Sequence, residues 1–185
     1  GITLSTLHQS GLGALYLLAK DKIHPLWYSE FIPIMFFVSS IFAGLSLVIF
    51  EGSISHRVFF DQISEKNHKA HHGIVIGLSK ICAVTMFAYF FLQMLVFVHG
   101  QHWDLLNTPM GYWYLTEMIG FVLLPMLLFF YSYRKNNTLL VKVAAVITML
   151  GIIINRLNVT VIGFKWDAES HYYPSWMEIV VTLAV

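Results

Sequence analysis

The feature that most constrains this chain is a series of apolar stretches as long as a lipid bilayer is thick. About 20 helical residues, each rising about 1.5 Å, cross roughly 30 Å of hydrocarbon. Four stretches reach that length, at residues 31–50, 73–98, 111–133 and 139–163. The pattern predicts an all-α integral membrane protein, a polytopic transmembrane helix bundle that occupies residues 1–185 as a single transmembrane domain.

Two further apolar stretches are too short for a full crossing. They cover residues 2–19 and 174–185, at the two ends of the chain. Each reads as part of a helix, so we expect four full spans, two partial ones and a larger protein of which this chain is a piece.

Composition excludes several classes of protein. Hydrophobic residues make up 57% of the chain and charged residues only 11%, which is unlike a soluble domain. The formal net charge of +1 provides no basic field for nucleic acid. The single cysteine, Cys82, cannot form an internal disulfide or hold an iron–sulfur cluster by itself. The sequence contains neither a phosphate-binding loop nor a dinucleotide-binding fingerprint.

The distribution of cations predicts the orientation of the spans. Lysine and arginine concentrate in the loops 51–72 and 134–137, which we expect to face the cytoplasm. The loops 20–30, 99–109 and 164–173 should face the opposite side. Tryptophan and tyrosine cluster at the span ends on that second side, where interfacial anchoring explains most of them. This predicted aromatic belt comprises Trp27, Tyr28, Trp103, Tyr112, Trp113, Trp166, Tyr172, Tyr173 and Trp176.

The first partial span carries polar residues on one face. Ser5, His8, Gln9 and Tyr16 recur at helical spacing, and His8 lies eleven residues, about 16 Å, from the end of the segment. An imidazole near the middle of the membrane suits a proton relay or a hydrogen bond to a quinone. Alternatively, His8 satisfies its hydrogen bonds within packed helices and has no further role.

The first full span, residues 31–50, is followed directly by a carboxylate, Glu51. Ser40, Gly44 and Glu51 follow one line along the helix, so they predict a small, polar stripe on which another helix can pack. If the helix continues past Glu51, that carboxylate can carry protons at the cytoplasmic end of a polar path. If the helix stops there, Glu51 merely lies in the membrane interface.

Two opposite charges occur at matching depths in the last two full spans. Glu117 lies about 9 Å and Arg156 about 10 Å from the outer ends of their segments, and the turn at 134–137 makes the two helices antiparallel neighbours. A Glu117–Arg156 ion pair would offset the cost of burying both charges. Asn155 and Asn158 flank the arginine, and Pro125 predicts a kink in the glutamate's span. The pair could serve a proton pathway or only fix the packing of the helices.

Nine histidines invite the hypothesis of a haem protein, but their positions argue against it. Haem b with two axial histidines needs inward-facing histidines on two spans. Only His8 is deep, so we expect no haem. The group His68, His71 and His72 could bind a metal at the surface, although such a group is more often a solvated loop.

Four runs of sequence carry a resemblance to a known family. They are LHQSGLGALYLLAKDKIHPLW at 7–27, LVIFEGSISHR at 47–57, INRLNVTVIGF at 154–164 and YYPSWME at 172–178. In this order they resemble the C-terminal half of membrane subunits of the polysulfide-reductase (NrfD-like) family, in particular the hydrogenase-2 type. The resemblance extends over nearly the whole chain.

The resemblance implies a haem-free protein of eight to ten helices in the inner (cytoplasmic) membrane of a bacterium or archaeon. Such a subunit passes electrons between a quinone, menaquinone or ubiquinone, and a ferredoxin-like iron–sulfur subunit on the periplasmic face. That subunit connects to a catalytic subunit, a [NiFe] hydrogenase or a molybdoenzyme, and the iron–sulfur clusters belong to the partner alone.

The resemblance also implies roles for particular residues. Glu51 matches a position in a proposed proton pathway, and His8, Glu117 and Arg156 match polar positions of the same half. The quinone pocket of the family lies largely in the other half, so we do not expect this stretch alone to complete a quinone site. The residues themselves leave His8 and Gln9 as candidate contacts from this half. No residue of this chain is predicted to be catalytic.

Three alternatives remain: a membrane anchor, a haem b cytochrome subunit and a secondary transporter. Ionisable residues at membrane depth argue against a plain anchor. Transporters usually have paired breaks at substrate depth, whereas only Pro125 interrupts a span here.

Overall fold

The computed structural model describes residues 2–60, 65–164, 166 and 175–184. Within these ranges, four segments are long and apolar enough to cross a membrane: Ile32–Val58, Ala70–Gly100, Pro109–Lys135 and Thr138–Ile162. They confirm the all-α membrane class and the four full spans. The α-helices are α1 (Ile2–Leu17), α2 (Ile32–Val58), α3 (Glu65–Gly100), α4 (Pro109–Thr116), α5 (Leu124–Lys135), α6 (Thr138–Leu157) and α7 (Trp176–Ala184).

The first and second full spans are longer than the sequence predicted. Most of the predicted loop 51–72 is helical, because α2 continues to Val58 and α3 begins at Glu65. Charged residues and histidine are compatible with helix, so hydropathy marks where the apolar part ends but not where the helix ends. The predicted loop 164–173 lies outside the described residues except for Phe164 and Trp166.

The four spans form a closed bundle. Helix α2 packs on α3, α3 packs on α5, α5 packs on α6, and α6 returns to α2. Helix α1 lies outside this ring against α2. Small buried side chains let the four helices approach closely in the middle of the bundle. They include Ser46, Ser79, Cys82, Ala83, Ser132, Ala144 and Ala145.

The third and fourth spans are each interrupted by a π-helical segment. The segment Glu117–Leu123 separates α4 from α5, and Asn158–Ile162 follows α6. Pro125, predicted to kink its span, lies at the start of α5, where it has no N–H to offer the carbonyl of Phe121. This part of the span packs tightly on α6, because a Cβ at Gly151 would come within 2.7 Å of the Phe121 side chain.

A second apolar cluster closes the bundle at the end where these π segments lie. It contains Trp27, Ile32, Phe97, Tyr114 and Val159, which come from the segment before α2 and from all four spans. The segment before α2 is held there by a hydrogen bond of 2.8 Å from the His24 N–H to the Gly163 carbonyl. This connection places Trp27 inside the protein.

Candidate functional site at a buried carboxylate

Glu117 is the centre of a polar cluster inside the bundle. Its side chain is only 5% exposed, and both carboxylate oxygens accept hydrogen bonds. Trp27 Nε1 donates to Oε2 at 2.8 Å and Asn158 Nδ2 to the same oxygen at 2.6 Å. Asn155 Nδ2 donates to Oε1 at 2.6 Å. Three donors on one carboxylate stabilise its ionised form, which can only accept hydrogen bonds.

The two asparagines are oriented by groups that can only donate. Trp113 Nε1 donates to Asn158 Oδ1 at 2.9 Å, and Arg156 Nη1 donates to Asn155 Oδ1 at 3.0 Å. Indole and guanidinium have no acceptor atom, so each amide must turn its oxygen outward and its NH₂ toward Glu117. The donors around the carboxylate are therefore fixed before any ligand arrives.

Arg156 is joined to Glu117 through an amide, which corrects the predicted direct ion pair. The guanidinium donates from Nη1 to Asn155 and from Nη2 to Ser39 Oγ at 2.8 Å. Its Cζ lies 3.6 Å above the centre of the Phe36 ring. The depths of the two charges were predicted well, but successive residues on a helix point in different directions. Asn155 faces Glu117, and Arg156 therefore faces α2.

Both π-helical segments begin at residues of this cluster. One starts at Glu117 and the other at Asn158, and these two side chains bond each other. A π turn inserts an extra residue into a helical turn and so changes which side chains face inward; such turns recur at functional sites. Neither π segment has a signature that hydropathy would reveal.

A small cavity adjoins the cluster. Its volume of about 20 Å³ is that of a single water site, and Trp27, Tyr89, Gln93 and Asn155 are among the residues that line it. Gln93 Nε2 donates to the Tyr114 hydroxyl at 3.2 Å, while Gln93 Oε1 is buried without a hydrogen-bond partner in the described part of the chain. The polar cluster thus extends from Glu117 toward α3.

On the other side, the cluster reaches an open groove between α1, α2 and α6. This outer groove has a volume of about 360 Å³. Gln9, Ser40, Gly44 and Arg156 contribute its polar and small lining residues, and leucine, isoleucine and methionine side chains complete the walls. The structure therefore brings Gln9 and Arg156, both predicted site residues, to one surface. His8 is exposed on α1 and does not line the groove.

Glu51 lies away from this cluster. Helix α2 continues past it, but its side chain is exposed and so is Gly44. The stripe of Ser40, Gly44 and Glu51 therefore lies outside the interior of the four-helix ring, and its first two residues line the outer groove beside α1. The buried small polar stripe of α2 consists instead of Ser39, Ser46 and Ser53. One helical position separates the two stripes, so the alternation of small residues could not distinguish them.

Sequence analysis missed the role of Trp27. It assigned this residue to an interfacial belt, whereas the side chain is buried and donates to Glu117. The available signal was chemical: a carboxylate at membrane depth needs N–H donors, and indole supplies one in an otherwise apolar ring. Asn155 and Asn158 were noticed as hydrogen-bonding neighbours of Arg156, but their actual acceptor is Glu117.

Only His24 is buried among the histidine side chains that the structure describes. Its Nδ1 accepts a hydrogen bond from the Leu26 N–H at 3.2 Å. His56 and His68 bond each other at 2.8 Å near the far end of the bundle. No group of three or more metal-ligating side chains that could hold a metal ion occurs within the described ranges.

His24 belongs to the loop that carries Trp27. Burial and the neighbouring His102 lower the pKa of His24, so the neutral imidazole is favoured in the fold. Its ring packs edge-on against Trp27 at 5.4 Å and Trp166 at 4.9 Å between centroids. Protonation of His24 would therefore affect the loop directly beside Trp27, which donates a hydrogen bond to Glu117.

Comparison with known proteins gives the family. Residues 2–165 match the family described as polysulphide reductase, NrfD. A protein of Nitratidesulfovibrio vulgaris (strain Hildenborough) is 42% identical over 187 residues, which cover 100% of this chain and 48% of that protein. A probable Ni/Fe-hydrogenase 2 b-type cytochrome subunit of Escherichia coli (strain K12) is 24% identical, covering 99% of this chain and 46% of that protein.

The chain thus spans about half the length of the curated relatives it matches. No solved structure matches it. The family match covers the four spans and every residue of the Glu117 cluster. The chain belongs to the polysulphide reductase NrfD family of membrane proteins.

Proposed function

We propose that this chain is part of a quinone-reactive membrane subunit in a respiratory oxidoreductase complex. The subunit passes electrons between the quinone pool and a ferredoxin-like iron–sulfur subunit. Its family, a membrane component of oxidoreductase complexes, supports the general role. The specific role rests on one observation: a buried carboxylate is connected through Asn155 to a guanidinium that lines an open, mainly apolar groove.

The outer groove has the chemistry that a quinone requires. A quinone ring is apolar and carries two carbonyl oxygens that accept hydrogen bonds. Arg156 and Gln9 supply N–H donors at the groove, and Ser40 adds a hydroxyl. A cation beside a carbonyl also stabilises the negative charge that develops when the quinone is reduced. The aliphatic walls suit the ring and its isoprenoid tail.

Glu117 acts in this proposal as a positioning residue. Its charge balances that of Arg156. Asn155 donates to Glu117 and accepts from Arg156, so the amide fixes the position of the guanidinium relative to the carboxylate. The hydrogen bond to Ser39 and the contact with the Phe36 ring hold the guanidinium from α2. A quinone would therefore meet a donor whose direction is already set, which lowers the cost of reorganisation during electron transfer.

Protons taken up or released with the electrons must also cross part of the membrane. His8, Glu51, Glu117 and Arg156 remain the proposed proton-pathway residues. The buried Glu117 and the half-buried Arg156 belong to the cluster, whereas the described surroundings leave His8 and Glu51 exposed. The curated relatives are about twice as long as this chain, and we propose that further helices like theirs supply partners for those two side chains.

The proposal for the catalytic partner comes from the name of one relative. The Escherichia coli relative is named as a subunit of a Ni/Fe-hydrogenase, which favours a [NiFe] hydrogenase, but it shares only 24% identity. A molybdoenzyme is the alternative. Isolation of the complex with its partners distinguishes the two, because nickel and molybdenum are measured directly in the purified material.

Steady-state kinetics in native membranes tests the quinone proposal. Gln9→Leu should raise the KM for a water-soluble quinone analogue several-fold while leaving the amount of assembled complex unchanged. Arg156→Lys should lower kcat as well, since an ammonium group cannot contact Asn155 and Ser39 in the same geometry. Arg134→Lys, at an exposed position in the last helical turn of α5 at the other end of the bundle, is the matched control. Unchanged KM and kcat in both site variants would refute the proposal.

Absorption spectroscopy tests the proposed absence of haem. The purified subunit should show no Soret band that shifts on reduction. A haem signal stoichiometric with the protein would favour a cytochrome subunit and would place the axial ligands among residues outside the described ranges.

A further inference from the structure

A second open groove lies on the α2–α6 face, at the opposite end of the bundle from the Glu117 cluster. This basic groove has a volume of about 370 Å³. Its walls are mainly apolar and its two charged residues are Arg57 and Lys142. The remaining lining residues are Phe50, Ser53, Ile54, Val143, Val146 and Ile147.

The two cations lie at the same level of the membrane. Arg57 is one residue from the end of α2, and Lys142 lies in the second turn of α6, which begins at Thr138. The helices are antiparallel, so the end of one is beside the start of the other. Phe50 lies seven residues before Arg57, which places the apolar part of the groove about 10 Å deeper along α2.

The described structure leaves both cations without a carboxylate partner. Neither takes part in an ion pair within the described ranges, and no acidic residue lines the groove. The titratable groups with which Lys142 interacts on α2 and α3 are His56 and His71, which cannot carry a negative charge. Two like charges at one groove mouth repel each other unless an anion neutralises them.

We propose that the basic groove binds an anionic phospholipid, with the phosphate between Arg57 and Lys142 and an acyl chain along α2 and α6. The arrangement of charge and apolar surface in the groove is complementary to a lipid rather than to a soluble anion. The cations are confined to the end of the spans, where lipid phosphates lie, and the apolar walls extend into the hydrocarbon region. A soluble anion would gain no binding energy from contact with those apolar walls. This site is independent of the quinone proposal.

Native mass spectrometry of the complete detergent-solubilised membrane protein tests the site. The protein is titrated with phosphatidylglycerol or with phosphatidylcholine carrying the same acyl chains. Wild-type protein should retain phosphatidylglycerol selectively. The double variant Arg57→Gln, Lys142→Gln should bind it about thirtyfold more weakly, as expected for loss of two interfacial cations. The control double variant Arg134→Gln, Lys135→Gln removes two cations from the last helical turn of α5. These cations do not line the groove, so this variant should bind phosphatidylglycerol normally.

A second variant separates loss of lipid from loss of fold. Val146→Trp fills the apolar wall and keeps both cations, so it should also weaken phosphatidylglycerol binding while the protein remains monodisperse. Inorganic phosphate at millimolar concentration should not displace the lipid. The proposal is overturned if both double variants lose lipid equally, if Val146→Trp binds normally, or if phosphate competes effectively. Absence of selective binding by the wild type would also refute it.

Discussion

Buried polar side chains near Glu117 form hydrogen bonds between different elements, whereas buried hydroxyls at the other end of the bundle form them within one helix. Around Glu117, the hydrogen bonds cross between elements and join the loop before α2, the third span and the fourth span. Elsewhere in the bundle, two buried hydroxyls bond carbonyls of their own helix: Ser53 bonds the carbonyl of Ile49, and Ser132 bonds that of Leu128.

Hydroxyls that bond their own helix serve mainly as small packing residues. Their polar atom is already satisfied, so they place no demand on a neighbouring helix. Thr148 shows the transition, because it bonds the Ala144 carbonyl and also lies 3.8 Å from the Met86 sulfur. By contrast, a donor that crosses to Glu117 fixes the distance and rotation of two helices together. Buried polarity therefore marks a candidate site only where the partner belongs to another element.

The largest effect that we expect comes from Glu117→Gln. The amide retains one acceptor oxygen but presents an NH₂ group to donors, and it removes the charge that balances Arg156. An NH₂ group facing a buried donor, together with loss of the charge that balances the half-buried Arg156, should cost about 3 kcal/mol. Thermal unfolding of the complete membrane protein in detergent measures the loss, and quinone turnover in membranes should fall with it.

Glu51→Gln is the matched control for that variant. Its carboxylate is exposed among the described residues, so the same substitution should change the free energy of unfolding by less than about 0.5 kcal/mol. If Glu51 nevertheless carries protons, this variant should assemble normally and lose only the activity coupled to the membrane potential. Equal destabilisation by the two variants would remove the distinction between the two ends of the bundle.

A smaller but still substantial effect is expected from Arg156→Leu. Leucine retains the apolar contact with α2 but loses the donors to Asn155 and Ser39. Glu117 then has no balancing cation and should take up a proton, which weakens the three hydrogen bonds that it accepts. Infrared difference spectroscopy at the carboxylic acid C=O stretch should detect a protonated Glu117 in this variant. A band that Glu117→Gln does not remove would contradict the assignment.

These residues show how far the sequence could predict the site. Span length identified the class of fold, since an apolar helix has few alternatives in a membrane. Depth along each helix correctly selected Glu117 and Arg156 as residues of one site. Depth alone could not predict the direction in which each side chain points around its helix. Two π turns rotate the helices beside the cluster, and only the return of the loop before α2 brings Trp27 inside.

The loop that carries Trp27 should make the cluster sensitive to pH. Burial and His102 lower the pKa of His24 below that of an unfolded histidine. The unfolded state therefore binds more protons as the pH falls below about 6.5, and stability is lost from that point until the pH falls below the native pKa. Protonation at Nδ1 also removes the acceptor for the Leu26 N–H. The melting temperature should thus decrease between pH 7.5 and 5.5.

His24→Asn is the control for this effect. The asparagine Oδ1 can accept the Leu26 N–H in place of Nδ1, but it does not titrate. The variant should therefore show a flatter dependence of melting temperature on pH than the wild type over the same range. Parallel curves for the two proteins would mean that another group causes the loss of stability in acid.

The smallest effects come from a pair of buried serines, and they compare the two kinds of hydrogen bond directly. Ser39 and Ser132 each bond a carbonyl of their own helix, but Ser39 Oγ also accepts from Arg156 on α6. Ser39→Ala should destabilise the protein by about 1 kcal/mol, near the middle of the range for hydrogen bonds between membrane helices. Ser132→Ala removes a bond that the helix does not need and should change stability by less than about 0.5 kcal/mol. Because both substitutions remove one oxygen from a fully buried site, packing changes nearly cancel between them. The difference in their unfolding free energies then measures the bond that crosses between helices, and a difference of zero would mean that Ser39 is only a packing residue.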